Sequence, residues 1–252
     1  MILGLACALG APTALAEELA RDGEHARIET ERGPVHVWTP AGYDPSTAIT
    51  VVFVHGYRTE VDEAWVRFRL PEQFALSGLN AMFVVPAAPS GKDAPLVWPS
   101  LHALLATVTV HLGVRMPTRR LVAVGHSGAY RTLVSWLDSP KLDALVLLDA
   151  VYGEYRFARW VRANKRRRLI NIAYETARFS ERMHRALPET RRVDGLPREG
   201  FPDARIVYAR TDAGHWSLVT DGVALPLALR AIGGARVTTR ERPLGLPPVE
   251  QN

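Results

Sequence analysis

The feature that most constrains this chain is an alternation of short apolar runs with amphipathic segments, which begins at residue 49. The apolar runs are rich in β-branched residues, as buried strands are, and the segments between them have the spacing of helices. The runs span 49–54, 80–86, 121–125, 143–150, 168–175 and 204–210. Strands that alternate with helices pair in parallel and are covered on both faces. The pattern therefore predicts an α/β fold with a mostly parallel central sheet.

Three further segments add detail to this prediction. Residues 25–38 favour two short strands around the Gly33-Pro34 turn. Residues 61–76 have a helical pattern with a break expected near Pro71. A polar stretch follows at residues 188–203. Together with the alternating region, these segments make one domain, which we place at residues 17–252.

The overall composition excludes few classes of protein. The chain has 252 residues, of which 47% are hydrophobic and 23% charged, and its net charge is +5. Such a charge favours an ordinary soluble surface, and attraction to an anionic envelope surface is the alternative. The basic residues are not interleaved with aromatic residues along a stripe, so a nucleic acid is not an expected partner.

The N-terminal segment has the pattern of a secretory signal peptide. Residues 1–16 carry no charge, the apolar run is too short to span a bilayer, and Ala14-Leu15-Ala16 fits a cleavage site. This predicts a periplasmic or secreted protein. The positively charged segment that begins a signal peptide is missing, however, since the residues directly after Met1 include no Lys or Arg. A buried helix is therefore the alternative. Cys7, the single cysteine, would leave with the peptide.

The stretch "LVAVGHSGAYRTLVSWL", residues 121–137, joins an apolar strand to a helical pattern at Ser127. Gly125, Gly128 and Ala129 surround this serine with small side chains. A serine on such a turn is lifted out of the fold, where a neighbouring base can activate it as a nucleophile. The alternative is a serine that only caps the helix.

Three motifs in this chain resemble those of the α/β-hydrolase superfamily, which includes serine esterases and lipases. "VVFVHGYR" resembles the strand and His-Gly loop of that family, "VGHSGA" its nucleophile elbow, and "DAGHW" the late loop that carries its catalytic histidine. The resemblance extends from about residue 35 to the end of the chain. It implies an α/β-hydrolase fold with a small or absent lid.

The resemblance also implies roles for individual residues. Ser127 would be the nucleophile and His215 the general base. Two acids end apolar strands, Asp149 and Glu175. We favour Asp149 as the acid that orients the histidine, because a carboxylate at the end of so apolar a strand needs a partner. Glu175 is the alternative.

Two backbone N–H groups would form the oxyanion hole by the same resemblance. They belong to Tyr57, after the His-Gly pair, and to Gly128, after the nucleophile. The Tyr57 side chain either faces the substrate or anchors its loop. His55 and His126, which lie beside these positions, are expected to be structural.

The segment after Asp149 offers only one helix for a lid, so we expect an open site. Its aromatic residues are candidates to line that site: Tyr152, Tyr155, Phe157 and Trp160. The arginines between 156 and 168 either solvate an outer helix face or favour anionic substrates. The chain has no phosphate-binding loop and no HExxH motif, so neither a metal nor another cofactor is expected.

These observations predict an exported serine hydrolase. Its substrate would be a small-molecule or lipid-like ester, with an amide second. A catalytically inactive protein of the same fold that binds a ligand is the alternative function. The sequence leaves the oligomeric state open.

Overall fold

The computed structural model describes residues 11–237, with side chains from residue 14 onward. A nine-stranded β-sheet forms the centre of this part of the chain. The strands are β1 (Glu24–Ile28), β2 (Val35–Thr39), β3 (Ile49–Val54), β4 (Ala81–Pro86), β5 (Leu121–His126), β6 (Leu142–Leu148), β7 (Arg168–Ala173), β8 (Arg191–Asp194) and β9 (Ile206–Arg210). Their order across the sheet is β1-β2-β4-β3-β5-β6-β7-β9-β8.

The sheet is parallel except at one edge. β1 and β2 form an antiparallel hairpin around the predicted turn, and β2 pairs antiparallel with β4. All later pairs, from β4 with β3 to β9 with β8, are parallel. Every residue of β3, β4 and β5 is buried, as expected for strands covered on both faces. The predicted mostly parallel sheet is therefore confirmed.

Nine α-helices occupy the described range. They are α1 (Ala11–Arg21), α2 (Val61–Arg67), α3 (Leu70–Ser77), α4 (Leu101–Leu112), α5 (Tyr130–Ser135), α6 (Arg156–Ala163), α7 (Ala177–Arg185), α8 (Ser217–Thr220) and α9 (Ala224–Ile232). α4, α5, α6 and α7 pack on one face of the sheet, whereas α2, α3, α8 and α9 pack on the other. α1 packs against α3.

The break near Pro71 separates α2 from α3. The backbone at Arg69 is left-handed, with φ of 49°, and Pro71 lies in the first turn of α3. A proline is well placed there, because the first N–H groups of a helix have no partner within the helix. The expected break is present, although it precedes the proline.

The polar stretch 188–203 includes a strand that the pattern of apolar residues does not predict. It contains β8, which lies at the sheet edge beside β9 and exposes most of its residues. An edge strand with two solvated sides has no apolar alternation, which is why the sequence pattern missed it.

Residues 1–10, including Cys7, lie outside the described range, and so does the first part of the predicted signal peptide. The rest of that peptide belongs to α1, in which the Ala16 side chain is buried. No helix within the described residues has the length and apolar character needed to cross a membrane.

The sheet brings the candidate site residues to one edge. In a parallel sheet the carboxyl ends of all strands meet at the same edge, where ligands bind. His55 follows β3, Ser127 follows β5, Asp149 follows β6, Glu175 follows β7 and His215 follows β9. His126 and His215, which are 89 positions apart in the chain, thus become neighbours.

Candidate active site

Ser127 lies on a strained turn between β5 and α5. Its φ is 53°, in the left-handed region that side chains other than glycine rarely adopt. Such a conformation costs on the order of 1–3 kcal/mol and persists only where the surrounding fold imposes it. A single 3₁₀ turn, Ser127–Ala129, leads into α5. The serine side chain is left partly exposed at the sheet edge.

The small residues around Ser127 are required by close contacts. A Cβ on Gly125 would lie 2.5 Å from Leu133 Cδ1, and a Cβ on Gly56 would lie 2.8 Å from Ser127 Cβ. Both distances are shorter than atomic contacts allow. Ala129, where the elbow pattern has a second glycine, is buried without such a conflict. The extra methyl group is therefore compatible with the turn.

His215 and Asp149 form a close pair beside this turn. The distance from His215 Nδ1 to Asp149 Oδ2 is 2.6 Å. The Asp149 side chain is fully buried, whereas 12% of the His215 side chain is exposed. Since a carboxylate only accepts hydrogen bonds, the proton lies on Nδ1, and Nε2 is left as an acceptor. That is the tautomer a general base needs.

The loop after β7 holds the Asp149 carboxylate as an anion. Asp149 Oδ1 accepts hydrogen bonds from the backbone N–H groups of Tyr174 and Thr176 and from Thr176 Oγ1, at 2.7–3.0 Å. Oδ2 accepts one from the Glu175 N–H at 3.1 Å. Burial acts to raise the pKa of Asp149, but these bonds and the one from His215 outweigh it and lower the pKa to about 2.

Glu175, the alternative acid, is placed differently. Its Oε2 lies 3.9 Å from His215 Nδ1, beyond hydrogen-bond distance, and 57% of its side chain is exposed. β7 ends at Ala173, so Glu175 lies in the loop beyond the strand. Its contribution to the pair is its backbone N–H. The geometry therefore favours Asp149 as the partner of His215.

These same residues are the only trio of possible metal ligands within residues 14–237. Ligand atoms of Asp149, Glu175 and His215 lie within 4.8 Å of one another. The Asp149 oxygens, however, already accept five hydrogen bonds, one of them from His215 Nδ1. A metal would have to displace that proton and compete with the other donors. The arrangement favours a hydrogen-bonded base over a metal centre.

Ser127 has a neighbour that the elbow pattern does not predict. Its Oγ lies 3.3 Å from the Tyr152 hydroxyl, and within the described residues it makes no hydrogen bond with His215. Burial raises the pKa of Tyr152, so its hydroxyl stays protonated at neutral pH. Catalytic hydrogen bonds often tighten only when substrate binds. His126 lies beside both Ser127 and His215. It directly precedes Ser127 in the chain, and the centre of its ring lies 4.6 Å from the centre of the His215 ring.

The two histidines near the elbow have structural contacts. His126 is buried, and its Nε2 donates to the His215 carbonyl at 3.0 Å. Burial, with a smaller effect from the charge of His215, lowers the pKa of His126 to about 3. His55 Nδ1 donates to the Gly56 carbonyl, and its Nε2 accepts from the Ala88 N–H. Both rings therefore fix loops around the site.

The candidate oxyanion loop lies directly against the elbow. A Cβ on Gly128 would lie 2.6 Å from the Tyr57 ring, so the ring is pressed against the glycine backbone. Arg58, with φ of 62°, donates its backbone N–H to the Ser90 carbonyl at 2.9 Å and pins the loop. Within the described residues, the N–H groups of Tyr57 and Gly128 make no backbone hydrogen bond. Both remain available to a substrate oxygen.

The expectation that four aromatic residues line the site is wrong for two of them. Phe157 and Trp160 are buried, with 0% and 4% exposure, in the core beneath α6. They lie on the inner face of this amphipathic helix, where apolar side chains pack against the sheet. Tyr152 and Tyr155 are exposed near the sheet edge.

Thr176, which donates two hydrogen bonds to the Asp149 carboxylate, was not predicted from the sequence. Its position just after an apolar strand is a signal that could have identified it.

A prominent groove in the described part of the chain lies away from Ser127. It has a volume of about 730 Å³ and lies between the β1–β2 hairpin and the loop after α4, with Val37, Tyr43 and Met116 among its lining residues. None of the candidate catalytic groups lines it. The chemistry at Ser127 is therefore assigned from local geometry and not from the size of a cavity.

Comparison with known proteins supports the fold. No family model and no curated protein matches the chain. A solved ferulic acid esterase is similar with a TM-score of 0.56 and 11% identity, over 84% of this chain and 98% of that chain. The feruloyl esterase module from Clostridium thermocellum has a TM-score of 0.54 and 14% identity, over 81% and 87%. An S-formylglutathione hydrolase from Agrobacterium tumefaciens has a TM-score of 0.51 and 11% identity, over 86% of this chain and 95% of that chain. Identities this low show a common fold only.

Proposed function

We propose that this chain, which has the α/β-hydrolase fold that its sequence predicted, is a serine hydrolase that cleaves carboxylic esters. The observation that carries the proposal is the pair of His215 and the buried Asp149, 2.6 Å apart, beside a serine held in a strained turn. A protein that only binds a ligand has no use for either feature. Strain of this kind is typical of functional sites.

The first half of the reaction forms an acyl-enzyme. His215 Nε2 takes the proton from Ser127 Oγ, and Oγ attacks the ester carbonyl carbon. The N–H groups of Tyr57 and Gly128 donate to the negative oxygen of the tetrahedral intermediate. Removing one such donor typically lowers kcat by about 100- to 1000-fold. His215 then gives its proton to the leaving alcohol as the C–O bond breaks.

The second half releases the acid with the same groups. His215 takes a proton from water, and the resulting hydroxide oxygen attacks the acyl carbon. The proton returns to Ser127 Oγ as its bond to carbon breaks. Throughout, the Asp149 anion stabilises the positive charge that develops on His215. With a pKa lowered to about 2, Asp149 is ionised at neutral pH.

A fluorophosphonate probe tests the nucleophile directly. We expect one adduct per chain, located on Ser127 by mass spectrometry, and none in the Ser127→Ala variant. His215→Ala should also lose the adduct, because the serine is then not activated. A folded wild-type protein without an adduct would favour the alternative, a catalytically inactive binding protein.

The substrate class follows from a second assay, which uses wild-type protein that has not been exposed to the probe. Esters with aliphatic and with aromatic acyl groups, each paired with the corresponding amide, are compared by kcat/KM. We expect the esters to be hydrolysed faster, because resonance stabilises an ester carbonyl less than an amide carbonyl and because an amide nitrogen leaves only after it is protonated. Aromatic acyl groups are included because Tyr152, Tyr155 and Trp216 are exposed near the site. A preference for the amides would change the proposal to a peptidase-like activity.

Export of the protein is a separate proposal. Cleavage after Ala16 would remove the first part of α1, which packs against α3, and would leave the ion pair between Glu17 and Arg69 intact. The mass of the protein purified from the cell envelope decides between the two options. A chain that begins at Glu17 supports the signal peptide, whereas retention of residues 1–16 supports a packed N-terminal helix.

A further inference from the structure

The positive charge of this chain is concentrated in one segment. Residues 155–186 contain ten Lys and Arg residues and two Glu residues, whereas the whole chain has a net charge of +5. The rest of the chain is therefore acidic on balance. On an ordinary soluble surface, positive and negative side chains are interspersed. A separation of the two charges is typical of a surface that binds a charged partner.

The fold gathers this charge on one surface. α6 and α7 pack on the same face of the sheet, and Arg182 donates to the Tyr155 hydroxyl across them at 3.3 Å. Both helices bury their apolar side and expose the other. We call the exposed cations of this surface the basic face: Arg159, Arg162, Lys165, Arg178, Arg182 and Arg185.

The six cations of the basic face form no ion pair with any acidic side chain of residues 14–237. Nearby arginines outside it do form ion pairs: Arg156 with Glu154 at 2.8 Å, and Arg210 with Glu181 at 3.3 Å. The six cations of the basic face form none. None of these six charged groups is held in an ion pair, so each remains available to a partner.

Exposed aromatic side chains border the basic face on the side of Ser127. We call them the aromatic rim: Tyr152, Tyr155, Tyr174 and Phe179, each 38–43% exposed. Tyr152 contacts Ser127, and Phe179 lies at the start of α7, beside the Gly153 backbone. The rim thus reaches the candidate site at Tyr152, and the cations extend along the two helices.

We propose that the basic face and the aromatic rim bind an anionic lipid surface, with Ser127 close to the headgroups. Arginines gain from lipid phosphates, and aromatic rings prefer the boundary between headgroups and acyl chains. Phe179 carries no polar group, so its exposure to water is relieved only by an apolar partner. A purely polar polyanion would use the cations but not this ring, and for that reason we favour a lipid bilayer.

Sedimentation with vesicles tests this proposal. The full chain with Ser127→Ala, which cannot hydrolyse lipid, is mixed with vesicles of phosphatidylcholine alone or of phosphatidylcholine with about half phosphatidylglycerol. We expect binding only to the anionic vesicles, and weaker binding at high salt because the charges are screened. Use of the inactive variant also separates this result from the proposed hydrolase activity.

Two matched variants locate the surface. Replacement of Arg159, Arg162 and Arg185 by Gln should weaken vesicle binding on the order of 100-fold. Replacement of three exposed arginines elsewhere by Gln should leave binding within a few-fold; these are Arg21, Arg115 and Arg198. Circular dichroism and thermal unfolding confirm that both variants fold.

The aromatic rim has its own variant, Phe179→Ser. We expect it to reduce the part of the binding that persists at high salt. Absence of binding to anionic vesicles would overturn the proposal, and so would equal loss in both arginine variants. Binding to a soluble polyanion such as heparin, with none to vesicles, would also overturn it and identify a polymer as the partner.

Discussion

Replacement of Asp149 by Asn tests the central pair more sharply than any other change. The side chain keeps its shape and loses its charge, so the effect on chemistry can be separated from an effect on packing. Asp149 Oδ1 accepts from three donors and Oδ2 from two. The amide oxygen of Asn is therefore expected at the Oδ1 position, and its NH₂ group faces His215.

This orientation would reverse the histidine. An NH₂ group cannot accept from Nδ1–H, so the ring changes tautomer, Nδ1 becomes the acceptor and Nε2 carries the proton. Nε2 then cannot take the proton of Ser127. The corresponding substitution in triads of this kind lowers kcat by about 10⁴-fold, which is about 5.5 kcal/mol. We expect a loss of about 10³- to 10⁴-fold for Asp149→Asn.

The assay compares kcat/KM for one soluble ester across three proteins: wild type, Asp149→Asn and Glu175→Gln. Glu175→Gln is the matched control, because residue 175 keeps its backbone N–H and only the negative charge of an exposed side chain is lost. It should stay within about tenfold of wild type. Thermal unfolding is measured for each protein, so that unfolding is not mistaken for loss of chemistry. If Asp149→Asn is active and Glu175→Gln is not, the assignment of the acid is wrong.

Three other changes test the surrounding geometry. Tyr152→Phe should label with fluorophosphonate within about tenfold of wild type, since one hydrogen bond to Ser127 is lost; a loss above 100-fold would place the hydroxyl in the reaction. Gly125→Ala should lower the free energy of unfolding by about 1–3 kcal/mol, because its Cβ would meet Leu133, and an unchanged midpoint in urea would contradict this. The pKa of Asp149 lies at about 2, below the usual 3.8. The ionised carboxylate therefore adds roughly 2 kcal/mol to the free energy of unfolding above about pH 4, and this contribution is lost as the pH falls towards 2. A urea midpoint measured across this range, with no decline in wild type relative to Asp149→Asn, would refute that contribution.

Much of the site could be predicted from the sequence because its signals are local. A strand, a serine between small residues and a helix follow one another within the segment 121–137, and steric rules link such a pattern to a strained turn. The role of His215 was predicted from the resemblance of "DAGHW" to the late loop of the α/β-hydrolase superfamily. The choice between Asp149 and Glu175 could not be made in the same way, since both residues follow apolar strands.

That choice depends on the tertiary structure. β6 and β7 are neighbours, so both acids reach the same edge, and the direction of each side chain decides between them. Asp149 takes a left-handed backbone conformation, with φ of 49°, and its side chain meets His215. Glu175 instead presents its backbone N–H to that carboxylate. No periodicity encodes a single positive φ at the end of a strand.

The sequence by itself determined the layers of the fold and the turn at Ser127 between a strand and a helix, because these depend on the spacing of apolar side chains and on turn chemistry within a few residues. Tertiary structure alone decided which acid meets His215, that Tyr152 faces Ser127, and that Phe157 and Trp160 are buried. It also decided that the cations of α6 and α7 share one surface. These outcomes depend on how elements distant in the chain pack together, and local patterns carry no record of that packing.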